Sequence, residues 1–174
     1  ATQKLAKGDM ARFPEAKIEL DYRHGDPWQL LVAVVLSAQS TDVSVNKVTP
    51  LLFRALPDVQ AFARATPVDV ERHIKTLGLF RNKAKNLVGA AHAIVEQHGG
   101  SVPSARALLE QLPGVGKKSA AVIVANAFGE PAIAVDTHVG RVSRRLGLTK
   151  ENDPWKVEQD LTALLPRARL LEAH

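Results

Sequence analysis

The sequence predicts an all-α protein, and three observations carry that prediction. No Asn-Gly or Asp-Gly hairpin and no sustained alternation of polar and apolar residues marks a strand. A capping residue followed by proline recurs at Asp26-Pro27, Thr66-Pro67 and Asp153-Pro154, each a signal for the start of a helix. Between such signals the apolar residues fall in segments of helical length joined by short connections, with no internal repeat.

Taken in order, residues 1–20, with Leu5, Met10 and Phe13, are expected to form a helix that packs on the C-terminal one. Asp26 caps a helix that begins at Pro27 and carries the apolar run Leu30–Leu36. Thr41–Ala55 follows, with Pro50 expected to kink it. Thr66 caps the next helix, with Asp69 at its third position and a stop near Gly78. Arg81–Gln97 is closed by Gly99-Gly100. Ser104 is expected to cap a short helix reaching Gln111, and Lys117–Phe128 comes after a glycine-containing turn. Asp136 opens a helix that Gly147 ends. After Asp153-Pro154, Val157, Leu161, Leu164 and Leu165 share one face before Pro166. The count comes to about nine or ten helices.

Composition narrows the function. Of 174 residues, 45% are hydrophobic and 24% charged, which excludes a disordered chain, collagen and a coiled coil. A chain this long buries roughly 70% of its unfolded surface and needs no metal or disulfide as a staple. There is no cysteine, so this chain holds no disulfide framework, thiolate nucleophile, zinc ribbon or cysteine-ligated iron–sulfur cluster. The longest apolar stretch, Leu30–Leu36, is too short to cross a bilayer, and the start carries no signal-peptide pattern. The expectation is a soluble, cytoplasmic protein; Ala1 in place of methionine suggests a trimmed start.

The net charge of +5 favours an anionic partner only weakly, and its distribution says more. No acid occurs from Arg72 to Val95, where Arg72, Lys75, Arg81, Lys83 and Lys85 cluster; Arg141, Arg144, Arg145 and Lys150 form a second basic stretch. These are either solvated helix faces or phosphate-binding surfaces.

The segment Leu112-Pro113-Gly114-Val115-Gly116-Lys117-Lys118-Ser119 joins two helices. Pro113 ends the first, and Gly114 and Gly116 permit positive φ and close approach of a phosphate oxygen. The unpaired amides at the start of the next helix add the positive end of its dipole. Such a hairpin grips a nucleic-acid backbone without reading bases. The same residues also suit a plain interhelical turn, but the adjoining Lys117-Lys118 favours the anion-binding reading.

Lys118 lies in the first turn of its helix beside Lys117, where dipole and like charge both disfavour a cation and favour the neutral amine of a nucleophile. Alternatively it is an exposed lysine that pairs with phosphate. Asp136 lies about one helix and a turn back from it, so amine and carboxylate can face one cleft, where the carboxylate would accept a proton or stabilise a cationic sugar. Capping of its own helix is the simpler role for Asp136. His138 stands low as an acid or base.

These residues carry a resemblance. Leu112–Lys118 followed by Ala134-Val135-Asp136-Thr137-His138 resembles the signature of the endonuclease III family, helix–hairpin–helix DNA glycosylases of base excision repair. Leu36-Ser37-Ala38-Gln39-Ser40-Thr41-Asp42 and Gly78-Leu79-Phe80-Arg81-Asn82-Lys83-Ala84 are similar to two further motifs of that family, in the same order. The resemblance runs from about Leu20 to the end of the chain.

It implies two helical lobes with a DNA-binding cleft between them: a helical barrel over residues 22–130, and a second lobe combining 1–21 with 131–174. It makes Lys118 the nucleophile and Asp136 the catalytic carboxylate. Gln39 and Leu79 would wedge into the duplex as a nucleotide is everted. Gly114, Val115, Gly116, Lys117, Ser119, Thr137, His138 and Lys83 would contact DNA. The implied reaction is removal of an oxidised pyrimidine through a lysine Schiff base, then β-elimination at the abasic site, by a monomer acting on double-stranded DNA near the nucleoid. Family members that remove adenine from mispairs lack a lysine at this place. Members of the common type continue into a loop where four cysteines hold a [4Fe-4S] cluster; this chain ends at His174 without one. It is expected to be a truncated or a cluster-free form, and a truncated module that binds DNA without chemistry is the alternative.

Overall fold

A computed structural model describes residues 20–130 and 132–164. Among these residues there are nine α-helices and no strand. In chain order they are α1 (Pro27–Ser37), α2 (Asp42–Ala55), α3 (Val59–Arg64), α4 (Pro67–Ile74), α5 (Phe80–His98), α6 (Arg106–Leu109), α7 (Lys117–Phe128), α8 (Thr137–Arg145) and α9 (Pro154–Leu164). The helix expected over residues 1–20, and Leu165 on the last amphipathic face, lie outside the described residues apart from Leu20, which is buried.

The capping signals act as their chemistry requires. Asp26 accepts from the amides of Trp28 and Gln29, and Asp153 from those of Trp155 and Lys156. Thr66 and Asp69 form a reciprocal capping box. Gly99 closes α5 in the left-handed conformation, and Gly147 follows α8 in the same way. Pro50 stands inside a continuous α2. Two expectations fail. The short helix α6 begins after Ala105, with no side-chain cap, so Ser104 does not start it. Leu164 is exposed rather than buried beside Val157 and Leu161.

α1 is the central helix. Every residue from Trp28 to Leu36 is buried, which is what an element apolar all round demands. It packs against α2, α5 and α7, while α3 and α4 pack on α5. The resulting core runs from Leu20 to Ala134. A smaller core joins Ile133, Val135, Val157 and Leu161 with Val139, where α8 meets α9. The extended segment before α8 serves both. Ala132 and Ala134 face the larger core, whereas Ile133 and Val135 face the smaller, the two-residue alternation of extended backbone.

Candidate active site and nucleic-acid interface

That alternating segment ends at Asp136, the N-cap of α8, whose Oδ1 accepts from the amide of Val139 at 2.8 Å. Its other oxygen, Oδ2, accepts from Lys118 Nζ at 3.2 Å. Capping and pairing are therefore simultaneous: each carboxylate oxygen does one. The Val139 amide is the main influence holding the Asp136 carboxyl below the usual aspartate range; Lys118 and the His138 amide work with it, against partial burial.

Lys118 sits in the first turn of α7, with its side chain 56% exposed against 39% for Asp136. It stands between two clefts. One, of about 190 Å³, is lined by Lys117, Val135, Trp155 and Glu158 among others; the second, of about 380 Å³, by Asp136, Thr137, Gly140 and Arg144. The pair is thus open to a large substrate and held from beneath by two cores.

The hairpin divides its two glycines by role. Gly114 has φ +79°, and a Cβ there would come within 2.9 Å of the Asn86 Cβ, so the fold itself requires glycine. Gly116 has φ −88° and open space where a Cβ would point, so it does not use the positive φ that glycine permits. No side chain caps α7, which leaves its first-turn amides without a side-chain acceptor at the N-cap. Val115 departs from its expected role: its side chain is buried and its amide donates to the Leu112 carbonyl, so it anchors the hairpin instead of offering a donor. Lys117 is exposed, with its ammonium 5.9 Å from the Trp155 ring centre; Ser119 is half-buried. Thr137 and His138 are exposed on α8, and His138 Nδ1 lies 3.2 Å from Arg141.

Gln39 and Leu79, forty positions apart, line one cavity of about 160 Å³ with Asn82, Asn86 and Gly114. Both have φ +55°, and they are the only non-glycine residues with positive φ among those described. Backbone strain in two exposed side chains facing one cavity is characteristic of functional sites. Lys83 departs from the sequence expectation of a DNA-facing cation. It is 4% exposed, donates to the Leu36 carbonyl at 2.9 Å and to Ser40 Oγ at 2.8 Å, and burial pushes its amine below the ordinary lysine range. The basic run that contains it is not a single solvated face.

Sequence reasoning missed Arg106. Its guanidinium pairs bidentately with the buried carboxylate of Glu158, bonds Glu110 at 3.0 Å and donates to the Lys117 carbonyl at 3.2 Å. It also lies 5.1 Å from the Trp155 ring centre, so it fastens α6, α7 and α9 together. The spacing of Arg106 and Glu110 was readable as a helical ion pair; Glu158, adjacent to a core valine, gave no such signal.

A lysine–carboxylate pair beside a helix–hairpin–helix suits a protein that holds a nucleic-acid backbone and attacks it with an amine, and comparison with known proteins places the chain among base excision DNA repair proteins. The family description "HhH-GPD superfamily base excision DNA repair protein" matches residues 32–167. The chain is 51% identical over 156 residues to endonuclease III of Synechocystis sp., covering 89% of this chain and 70% of that one. It is 47% identical to endonuclease III of Bacillus subtilis, covering 92% and 72%. Among solved structures, a trapped endonuclease III–DNA covalent intermediate aligns with TM-score 0.87 and 43% identity, covering 94% of this chain and 76% of that one. The chain belongs to the endonuclease III family. It is a bifunctional DNA glycosylase and abasic-site lyase of base excision repair. The cluster found in common members needs thiolate ligands, and with no cysteine these residues do not supply them. No helix among the described residues is long and apolar enough to cross a membrane.

Proposed function

We propose that the chain acts as a monomer on double-stranded DNA, removes oxidised pyrimidines, and cleaves the strand through a Schiff base on Lys118. The observation that carries this reading is the contact of Lys118 Nζ with Asp136 Oδ2 at 3.2 Å. The amine must be neutral to attack, and the carboxylate is the proton acceptor within reach. The amine adds to C1′ as the bond to the base breaks, and the departing base leaves with the electron pair and takes up a proton. Opening of the sugar ring gives an iminium, which acidifies the C2′ proton. Loss of that proton expels the 3′ phosphate, and water releases the lysine. Throughout, the Asp136 carboxylate opposes the positive charge that builds on the sugar.

Other features support the approach of the nucleic acid. Open space over Gly116 and the first turn of α7, which no side chain caps, suit a phosphate, with Lys117 beside them. Gln39 and Leu79, exposed at one cavity, would fill the gap left by an everted nucleotide and so offset part of an unstacking cost of about a few kcal/mol. A damaged base costs less to extract than an intact, paired one.

The test is reductive trapping. Incubated with an abasic-site duplex and borohydride, the protein is expected to form a covalent adduct, and Lys118→Gln to form none while still binding the duplex. An adduct of equal yield on Lys118→Gln would refute the assignment. Damage-independent, salt-sensitive binding with no adduct from the unaltered protein would favour a binding module.

A further inference from the structure

Lys83 is a buried cation with no carboxylate among its hydrogen-bond partners. Burying a charge without an opposite charge is costly, and here two hydrogen bonds to neutral oxygens offset part of that cost. Its location suggests what the charge is for. Both acceptors flank Gln39: the Leu36 carbonyl near the C-terminal, negative end of α1, and the Ser40 hydroxyl just after the strained residue. Lys83 itself lies in the first turn of α5, the helix that Leu79 begins, and its amide donates to the Leu79 carbonyl. One side chain therefore ties the two loops that carry the positive-φ residues to each other. The two loops also approach each other at Gly78, where a Cβ would stand 3.6 Å from the Gln39 carbonyl oxygen.

We propose that Lys83 is a positioning residue for base eversion, fixing the spacing of Gln39 and Leu79 so that both enter the duplex together. This rests on the wedge role given to those two residues above. Lys83 touches neither substrate nor the reacting atoms. Its effect belongs to the step whose difficulty depends on stacking, and the chemistry at Lys118 is downstream of it.

The experiment compares single-turnover base release from thymine glycol placed opposite adenine with release from the same lesion opposite an abasic analogue, where eversion is easier. Lys83→Met is expected to lower the ratio of the first rate to the second by about tenfold, in a variant that thermal unfolding shows to be folded at the assay temperature. Leu79→Ala is run in parallel as the direct reporter of wedging. Ser40→Ala, which removes one acceptor and keeps the amine, should shift the ratio the same way by less, and it serves if Lys83→Met does not fold. A ratio lowered by Leu79→Ala but unmoved by Lys83→Met, or by Ser40→Ala where that variant stands in, overturns the role of Lys83 and leaves the wedge intact. A ratio unmoved by Leu79→Ala overturns the wedge, and with it this proposal.

Discussion

Asp136 illustrates how one side chain holds two duties that mutation can separate. Asparagine is as good an N-cap as aspartate but offers no negative charge, so Asp136→Asn should fold with stability within about 0.5 kcal/mol of the unaltered protein and lose base release. Asp136→Ala should lose both, with about 1 kcal/mol of stability removed at neutral pH. Because the folded carboxyl titrates below its ordinary range, the stability that comes from its charge is fully present above the unfolded value of about 4 and is lost as pH falls through the lower folded value, leaving the neutral carboxyl to cap as asparagine does. Denaturant midpoints of the variants between pH 7 and pH 3 check this. At this scale much was legible: an aspartate after an apolar run, before a helix, announces a cap. That Asp136 would also meet Lys118 rested on spacing, which allows a contact without requiring one. Lys83 was misjudged for a physical reason, since a lysine in a basic run has no sequence signal for burial; only the packing of α5 on α1 takes it out of solvent.

Between elements, the fastening role falls to Arg106. Its partner Glu158 is buried, so removing the guanidinium leaves a carboxylate without its counter-charge. Arg106→Ala should destabilise the protein by about 3–5 kcal/mol, and the paired replacement of Arg106 and Glu158 by Leu and Met should recover most of that loss. Urea denaturation of the single and double variants measures both. Helix starts at α1, α4 and α9 followed from their caps, because capping is a local transaction among three or four neighbouring residues. α3, six residues long behind Asp58, escaped because so short a segment has little periodicity to display. The same limit explains the misplaced start of α6.

For the molecule as a whole, a net charge of +5 spread over 174 residues gives no strong general field, so attraction to nucleic acid must come from local groups. Lys117 is one of them, exposed at the uncapped start of α7. Lys117→Gln should weaken binding alike to damaged and undamaged duplex and make the plot of log K against log salt less steep by about 0.9. Fluorescence titrations across a salt series read that slope. The all-helical architecture was legible because strands leave signals that this chain lacks. The division of apolar residues between two cores was not, since hydrophobicity alone does not say which neighbour a buried side chain meets.

The extended stretch from Ala132 to Val135 shows what that division entails. Its side chains go alternately to opposite partners, with alanines on the crowded side and the larger Ile133 and Val135 on the other. Losing a single residue there would exchange the sets, pressing branched side chains into spaces shaped for methyl groups. It would also turn the following carboxylate through half a revolution, away from the amine. Substitutions of similar volume can be absorbed along this strap, but its length is fixed, and the chemistry at its end inherits that rigidity.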